Sequence, residues 1–220
     1  MSRVLPILFN TDMVRAILDG RKTVTRRVMK PANPFKNKEG YRQGNGLWID
    51  GYSKNDEPNG HIKDYSVSSC WMTKRYYIEK YTPYHPGDIL YVRETWCNLN
   101  TLSCPCYYYK ASDNLPEWAL GGWKPSIHMP KEAARIWLKV ADVRVERLQD
   151  MTLDDFLSEG VVIRPEAFND PENAYMQARN EFIGIWNSTI KKPDYDHYGW
   201  DTNPWVWVIE FEHCDKPEEL

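Results

Sequence analysis

The order in which apolar periodicity changes along this chain constrains its fold more than any single residue does. Residues 10–20 place Met13, Val14, Ile17 and Leu18 on one helical face, with Asn10 or Thr11 as N-cap and Gly20 as the stop. Residues 22–28 then read as extended. Residues 31–86 are rich in Asn, Gly, Lys and Pro, with short aromatic strand candidates only at 47–52 and 76–78, so this stretch reads as an insertion. Gly87 opens a turn that feeds an apolar strand running to Trp96, and residues 98–122 are again loop-like. Residues 135–148 alternate at Ile136, Leu138 and Val140 and then at Val143 and Val145, as a strand pair or one bent strand would. Thr152 and Asp155 form an acidic capping box ahead of a helix that buries Leu153, Phe156 and Leu157 and ends at Gly160. A third helix is expected at about 171–187, from the stripe Ala174, Ala178, Phe182, Ile185 and Trp186, and a last strand at 205–211. This order lacks regular βαβ alternation and contains no internal repeat. It predicts an α+β fold built as a small mixed β-barrel with flanking helices, rather than a doubly wound sheet. Such a barrel closes only if the N-terminal helix and strand meet the C-terminal strand.

The 220 residues are read as one domain carrying insertions near 31–86 and 98–130. A hydrophobic fraction of 42% and a charged fraction of 27% set the chain apart from disordered tails and from membrane proteins. No segment approaches the roughly 20 apolar residues of a spanning helix. The five cysteines are an odd count, and no apolar segment of signal-peptide length follows the opening residues, so a cytoplasmic location is expected. A formal charge of -3 provides no overall basic field, and contact with a polynucleotide would have to be local. Ten Trp, fourteen Tyr and six Phe supply rigid surfaces that can fill a core or stack on a flat ligand.

Gly20-Arg21-Lys22-Thr23-Val24-Thr25-Arg26-Arg27 matches the Gly-x-Lys-x-x-x-x-Arg signature of ASCH domains, which are related to the PUA fold. Three further blocks follow in family order. Pro86-Gly87-Asp88-Ile89-Leu90-Tyr91-Val92 resembles the second core strand, residues 147–160 the strand-to-helix crossover, and Trp205-Val206-Trp207-Val208-Ile209-Glu210-Phe211 the closing strand. The matched blocks cover about half of the chain. Trp123-Lys124-Pro125-Ser126-Ile127-His128-Met129-Pro130 and Asn203-Pro204-Trp205-Val206-Trp207 resemble a larger ASCH branch often found in phage and prophage genomes.

The small bacterial ASCH enzymes that deacetylate acetylcytidine carry a Lys, a Thr three residues later and a distant Glu. The resemblance maps these onto Lys22 as proton acceptor, Thr25 as nucleophile and Glu159 as proton donor. The chemistry asks for such a set on general grounds. A threonine hydroxyl attacks only after a base takes its proton, and an amide nitrogen leaves only when an acid protonates it. A lysine of pKa about 10.4 needs desolvation or cationic neighbours to act as base, and Arg26 and Arg27 are adjacent in sequence. Glu159, near a helix C-terminus, would feel the negative end of the dipole, which favours its neutral, donating form. On a regular strand, residues three apart point to opposite faces, so Lys22 and Thr25 converge only if a turn or bulge intervenes. The scheme needs no metal and no cofactor.

Arg26, Arg27, Arg93, Trp96, Trp123 and His128 are the candidate substrate-binding residues, with Trp207 a further stacking candidate. Each also has a plainer reading: a solvated basic strand for the arginine pair, core packing for the tryptophans, and structural partners for Arg93 and His128. Cys70, Cys97, Cys104 and Cys106 with His61 and His85 could furnish zinc ligands, but paired CxxC units are missing and buried thiols are common. The resemblance thus implies an amidohydrolase acting on a modified nucleoside. The alternative is a PUA-like reader of RNA, DNA or modified bases that uses the same cleft without chemistry, and a nuclease lacks an evident metal cluster or histidine pair.

Overall fold

The computed structural model describes residues 2–29, 47–49, 61–64, 70–73, 81–101, 104–112 and 122–218. Its centre is a five-stranded mixed sheet in the order β1-β6-β9-β10-β2, formed by β1 (Val4–Leu8), β2 (Val24–Val28), β6 (Ile89–Arg93), β9 (Trp137–Arg147) and β10 (Trp205–His213). β1 runs parallel to β6, and every other pairing in this sheet is antiparallel. The strand expected at 22–28, β2, does meet the C-terminal strand β10: Thr25 lies opposite Ile209 and Arg27 opposite Trp207.

β10 is buried on both faces, which is why its sequence is an almost unbroken apolar run rather than an alternating one. On one face, Trp207, Ile209 and Phe211 pack with Leu90, Val92, Leu138, Val140, Val143 and Val145, and Val14 and Ile17 of helix α1 (Thr11–Leu18) fill the concavity. On the other, Val206 and Val208 join Val24 beneath helix α2 (Leu153–Ser158) and helix α3 (Pro171–Thr189). Phe156 of α2 lies against Phe182 of α3 with ring centroids 5.4 Å apart. A short fourth helix, α4 (Tyr195–Tyr198), precedes β10.

The expected caps form. Asn10 Oδ1 accepts the Met13 N–H at 2.8 Å, and Thr152 and Asp155 exchange the reciprocal bonds of a capping box. A further cap, not read from the sequence, is Asp170 at the start of α3, with Pro171 in the first helical position.

Val4–Leu8, for which the sequence pattern predicts no element, forms the β1 edge. Part of the stretch expected as loop after Asn98 is a hairpin, β7 (Trp96–Thr101) with β8 (Cys104–Tyr109). In the insertion, β3 (Leu47–Ile49) falls on the strand candidate at 47–52 and joins an antiparallel ladder with β4 (His61–Asp64) and β5 (Cys70–Thr73), which the sequence does not predict, while the candidate at 76–78 lies outside the described residues. The α+β class holds. Among the described residues the hydrogen-bonded ladder leaves β1 and β2 as its two edges, without closing into a barrel. A side chain spans the two, because Arg27 Nη2 donates to the Leu8 carbonyl at 2.8 Å.

Candidate functional site

The site starts where α1 turns into β2. Gly20 adopts φ +71°, a conformation open to glycine without strain, and the N–H groups of Arg21 and Lys22 both donate to the Ala16 carbonyl. This tight reversal delivers Lys22 beside the end of α2. There the Thr23 N–H donates to the Ser158 carbonyl, and Lys22 pairs with Glu159 as an isolated antiparallel bridge. Gly160, at φ +92°, ends α2 so close to α1 that an added Cβ would sit 2.7 Å from that of Ala16 and 3.2 Å from that of Lys22. Two glycine-dependent turns therefore bring together residues 137 positions apart.

The Lys22 side chain is completely buried and that of Glu159 is 5% exposed. Lys22 Nζ donates to Glu159 Oε2 at 2.5 Å, to the Glu159 carbonyl at 2.9 Å and to the Val24 carbonyl at 2.8 Å. Three ammonium protons thus have three acceptors. Burial lowers the Lys22 pKa from its ordinary value; Glu159 opposes that shift, while Arg27 and Arg26 add to it. The ammonium also stands 5.7 Å from the centroid of Phe9, and the Arg27 guanidinium carbon stands 5.2 Å from the same ring.

Strand alternation sorts the residues that follow. Val24, Arg26 and Val28 share the face under α2 and α3, whereas Thr25 and Arg27 share the face toward Trp207, Ile209 and α1. Lys22 precedes the first residue of β2, so the opposite-face rule for residues three apart does not separate it from Thr25. Thr25 is 1% exposed. Burial lowers the Arg27 pKa, with Tyr84 and Glu159 opposing, and burial raises that of Tyr84.

Arg26 takes a different part from the one expected. Its buried guanidinium donates to Asp155 Oδ1 at 2.7 Å, Glu146 Oε2 at 3.3 Å and Glu159 Oε1 at 3.5 Å. A group committed to three carboxylates on the far face of the sheet is a brace, not an open ligand contact. Burial pushes the Asp155 carboxyl up, but the Thr152 N–H, Arg26 and the Thr152 hydroxyl outweigh it and hold the pKa below its ordinary value.

Arg93, Trp96, Trp123 and His128 belong to another neighbourhood. Arg93 donates to the Met129 carbonyl at 2.8 Å and to that of Ile127, which pins the 126–129 turn onto β6. Trp96 is buried against Met129 and Ala133, exchanges backbone bonds with Lys124, and has the Lys124 ammonium 5.0 Å from its ring centroid. Trp123 is half-buried and His128 exposed. Among the described residues, no hydrogen bond or ion pair joins these four to Lys22 or Glu159. Trp207 lies in the sheet core.

Sequence reasoning missed Phe9 and Tyr84, because both depend on the unanticipated β1: Phe9 follows it and Tyr84 Oη donates to its Pro6 carbonyl at 3.0 Å. It also missed Glu146 as a partner of Arg26. Among the described residues no group of three or more His, Cys, Asp or Glu is arranged to hold a metal, and the side chains of His61, Cys70 and Cys104 lie outside them. No described helix is long and apolar enough to cross a membrane. No family model, curated protein or solved structure matches this chain.

Proposed function

We propose that this chain is an ASCH-like amidohydrolase that removes an acyl group from the exocyclic amine of a modified nucleoside of the acetylcytidine type. The observation that carries the reading is the buried Lys22–Glu159 contact of 2.5 Å. A single proton shift along that contact converts ammonium and carboxylate into amine and carboxylic acid. Those are the base and the acid that amide cleavage requires, and desolvation of Lys22 favours the shift.

In this scheme the Thr25 Oγ attacks the acyl carbon as its proton passes to neutral Lys22. The tetrahedral intermediate collapses, the C–N bond breaks, and Glu159 protonates the departing amine. The pair is then ammonium and carboxylate again, with the acyl group esterified to Thr25. Water next attacks the ester and gives a proton to Glu159, while Lys22 returns a proton to the Thr25 oxygen. This restores the neutral pair and releases the carboxylic acid. Arg27, cationic beside Phe9, is suited to bind an anionic or carbonyl group of the substrate on the face that carries Thr25. On the same reading the five-stranded sheet is the wall of an ASCH-type barrel, and the Arg27 contact with the Leu8 carbonyl lies on its seam.

Incubation with acetylcytidine and related acyl nucleosides, followed by chromatography, tests the reading. Thr25→Val preserves volume in the buried site and is expected to lower kcat/KM by more than about 100-fold, the scale of losing an activated nucleophile. A Thr25→Val enzyme as active as the parent would eliminate the mechanism. A second reading, a PUA-like binder of RNA, DNA or modified bases, is favoured by one observation: every Lys22 N–H already has an acceptor, as in a purely structural ammonium. Salt-dependent oligonucleotide binding without turnover would support that reading instead.

A further inference from the structure

Arg26 and Arg27 are adjacent in sequence yet lie on opposite faces of the sheet. Only Arg26 touches the buried carboxylate directly. Glu159 divides its two oxygens between faces, Oε2 to Lys22 at 2.5 Å and Oε1 to Arg26 at 3.5 Å. Arg26 is in turn fixed by Asp155 at 2.7 Å, and Asp155 is also the reciprocal capping residue of the helix whose end carries Glu159. Any displacement of Arg26 is therefore felt at the one oxygen that Lys22 leaves unbonded. We infer that Arg26 is a positioning residue that holds the Glu159 carboxylate from the far side of the sheet and thereby tunes the proton affinity of Lys22. The inference rests on the amidohydrolase reading only for its consequence in turnover.

The charges around the pair define the direction. From β2 come Arg26 and Arg27, from α2 Asp155, from β9 Glu146 with its partner Arg144, and from β10 Glu210, which Arg144 also holds. Arg21, in the turn between α1 and β2, donates to the Gly160 carbonyl and pairs with Asp19. Tyr84 faces Arg27. Removing the Arg26 charge makes Lys22 harder to deprotonate, so its titration moves to higher pH. A mere loosening of the site cannot separate charge from shape, whereas Arg26→Lys keeps the charge and Arg26→Gln discards it.

The test follows the Lys22 Cε by NMR through a pH titration of the ¹³C-labelled full chain. Arg26→Gln is expected to raise the Lys22 transition by about half a pH unit or more, and Arg26→Lys by clearly less. Equal shifts in the two variants, or none in Arg26→Gln, would overturn the inference. Should Arg26→Gln fail to fold, Glu146→Gln provides the opposite sign. That side chain is 29% exposed, and losing its negative charge should lower the Lys22 transition; an upward or absent shift would refute the assignment. Failure of the wild type to hydrolyse any acyl nucleoside would instead defeat the amidohydrolase reading, with the titrations still reporting on Arg26. If hydrolysis is present, the pH profile of kcat/KM in Arg26→Gln should move upward on the limb that Lys22 controls, with Arg26→Lys restoring it.

Discussion

Replacing Lys22 by methionine tests the pair on which the site is built. Methionine keeps most of the apolar stem, so the loss is chiefly charge and hydrogen bonding. The Lys22 side chain has no exposure and that of Glu159 only 5%, so water does not readily take over the freed Oε2. Removing one partner of a buried ion pair costs roughly 3–5 kcal/mol. Arg26 still reaches Oε1 at 3.5 Å, which places the expected loss near the lower bound, about 3 kcal/mol at pH 8. In a chain of this size each kcal/mol lowers Tm by about 2–4 °C, so the variant should melt roughly 6–12 °C below the parent. Melting monitored by circular dichroism at pH 8 gives the shift, and a cycle with Glu159→Gln and the double variant isolates the coupling. The double variant should cost less than the sum of the singles by more than about 1.5 kcal/mol, because no charge is then left stranded. A Lys22→Met shift under about 2 °C at pH 8, with coupling near zero, would refute the reasoning and make the contact equivalent to a surface salt bridge.

Two further outcomes follow from the same framework. Gly160→Ala should destabilise by at least about 2 kcal/mol in urea unfolding, since it combines a φ of +92° with a Cβ placed 2.7 Å from that of Ala16; an Ala variant as stable as the parent would mean that α1 and α2 are not packed as described. Burial alone would raise the Asp88 pKa, but the Arg3 side chain, the His85 N–H and the Arg3 N–H hold it below its ordinary 3.8. With the folded value depressed, its stabilisation is complete above 3.8 and is lost as pH falls through the lower folded value. Asp88→Asn should therefore flatten the acid limb of a stability-against-pH curve, and an unchanged limb would remove Asp88 as its source.

Much of the fold was legible because β10, the helix caps and the glycine stops each have a local cause. An apolar run with residues buried on both faces reads as a central strand without knowledge of its neighbours, and Asn10 and Thr152 act on N–H groups three residues away. β1 was not legible. It has five residues, contains Pro6, and buries mainly Ile7, so it carries too few apolar positions to show a period; its stability comes from parallel pairing with β6, some 85 residues away in sequence. The β7–β8 hairpin was hidden similarly, since Asn98, Asn100 and Pro105 look like loop residues and only the ladder makes them strand.

The division of labour between Arg26 and Arg27 shows where local reasoning ends. Period-two alternation requires neighbouring residues of β2 to face opposite ways, but a sequence does not say which arginine faces which way. The register with β10 decides it. Opposite Trp207, Arg27 is sent to the face shared with Thr25, Phe9 and Tyr84, and Arg26, opposite Val208, is sent to the carboxylates of Asp155, Glu146 and Glu159. A slip of one residue would exchange them. It would turn Arg26 away from its three carboxylates toward the face of the candidate nucleophile, and turn Arg27 toward them. The distinction between a residue that meets a ligand and one that tunes the pair behind it is thus a property of strand pairing between residues about 180 positions apart, and the Arg26 titrations measure it.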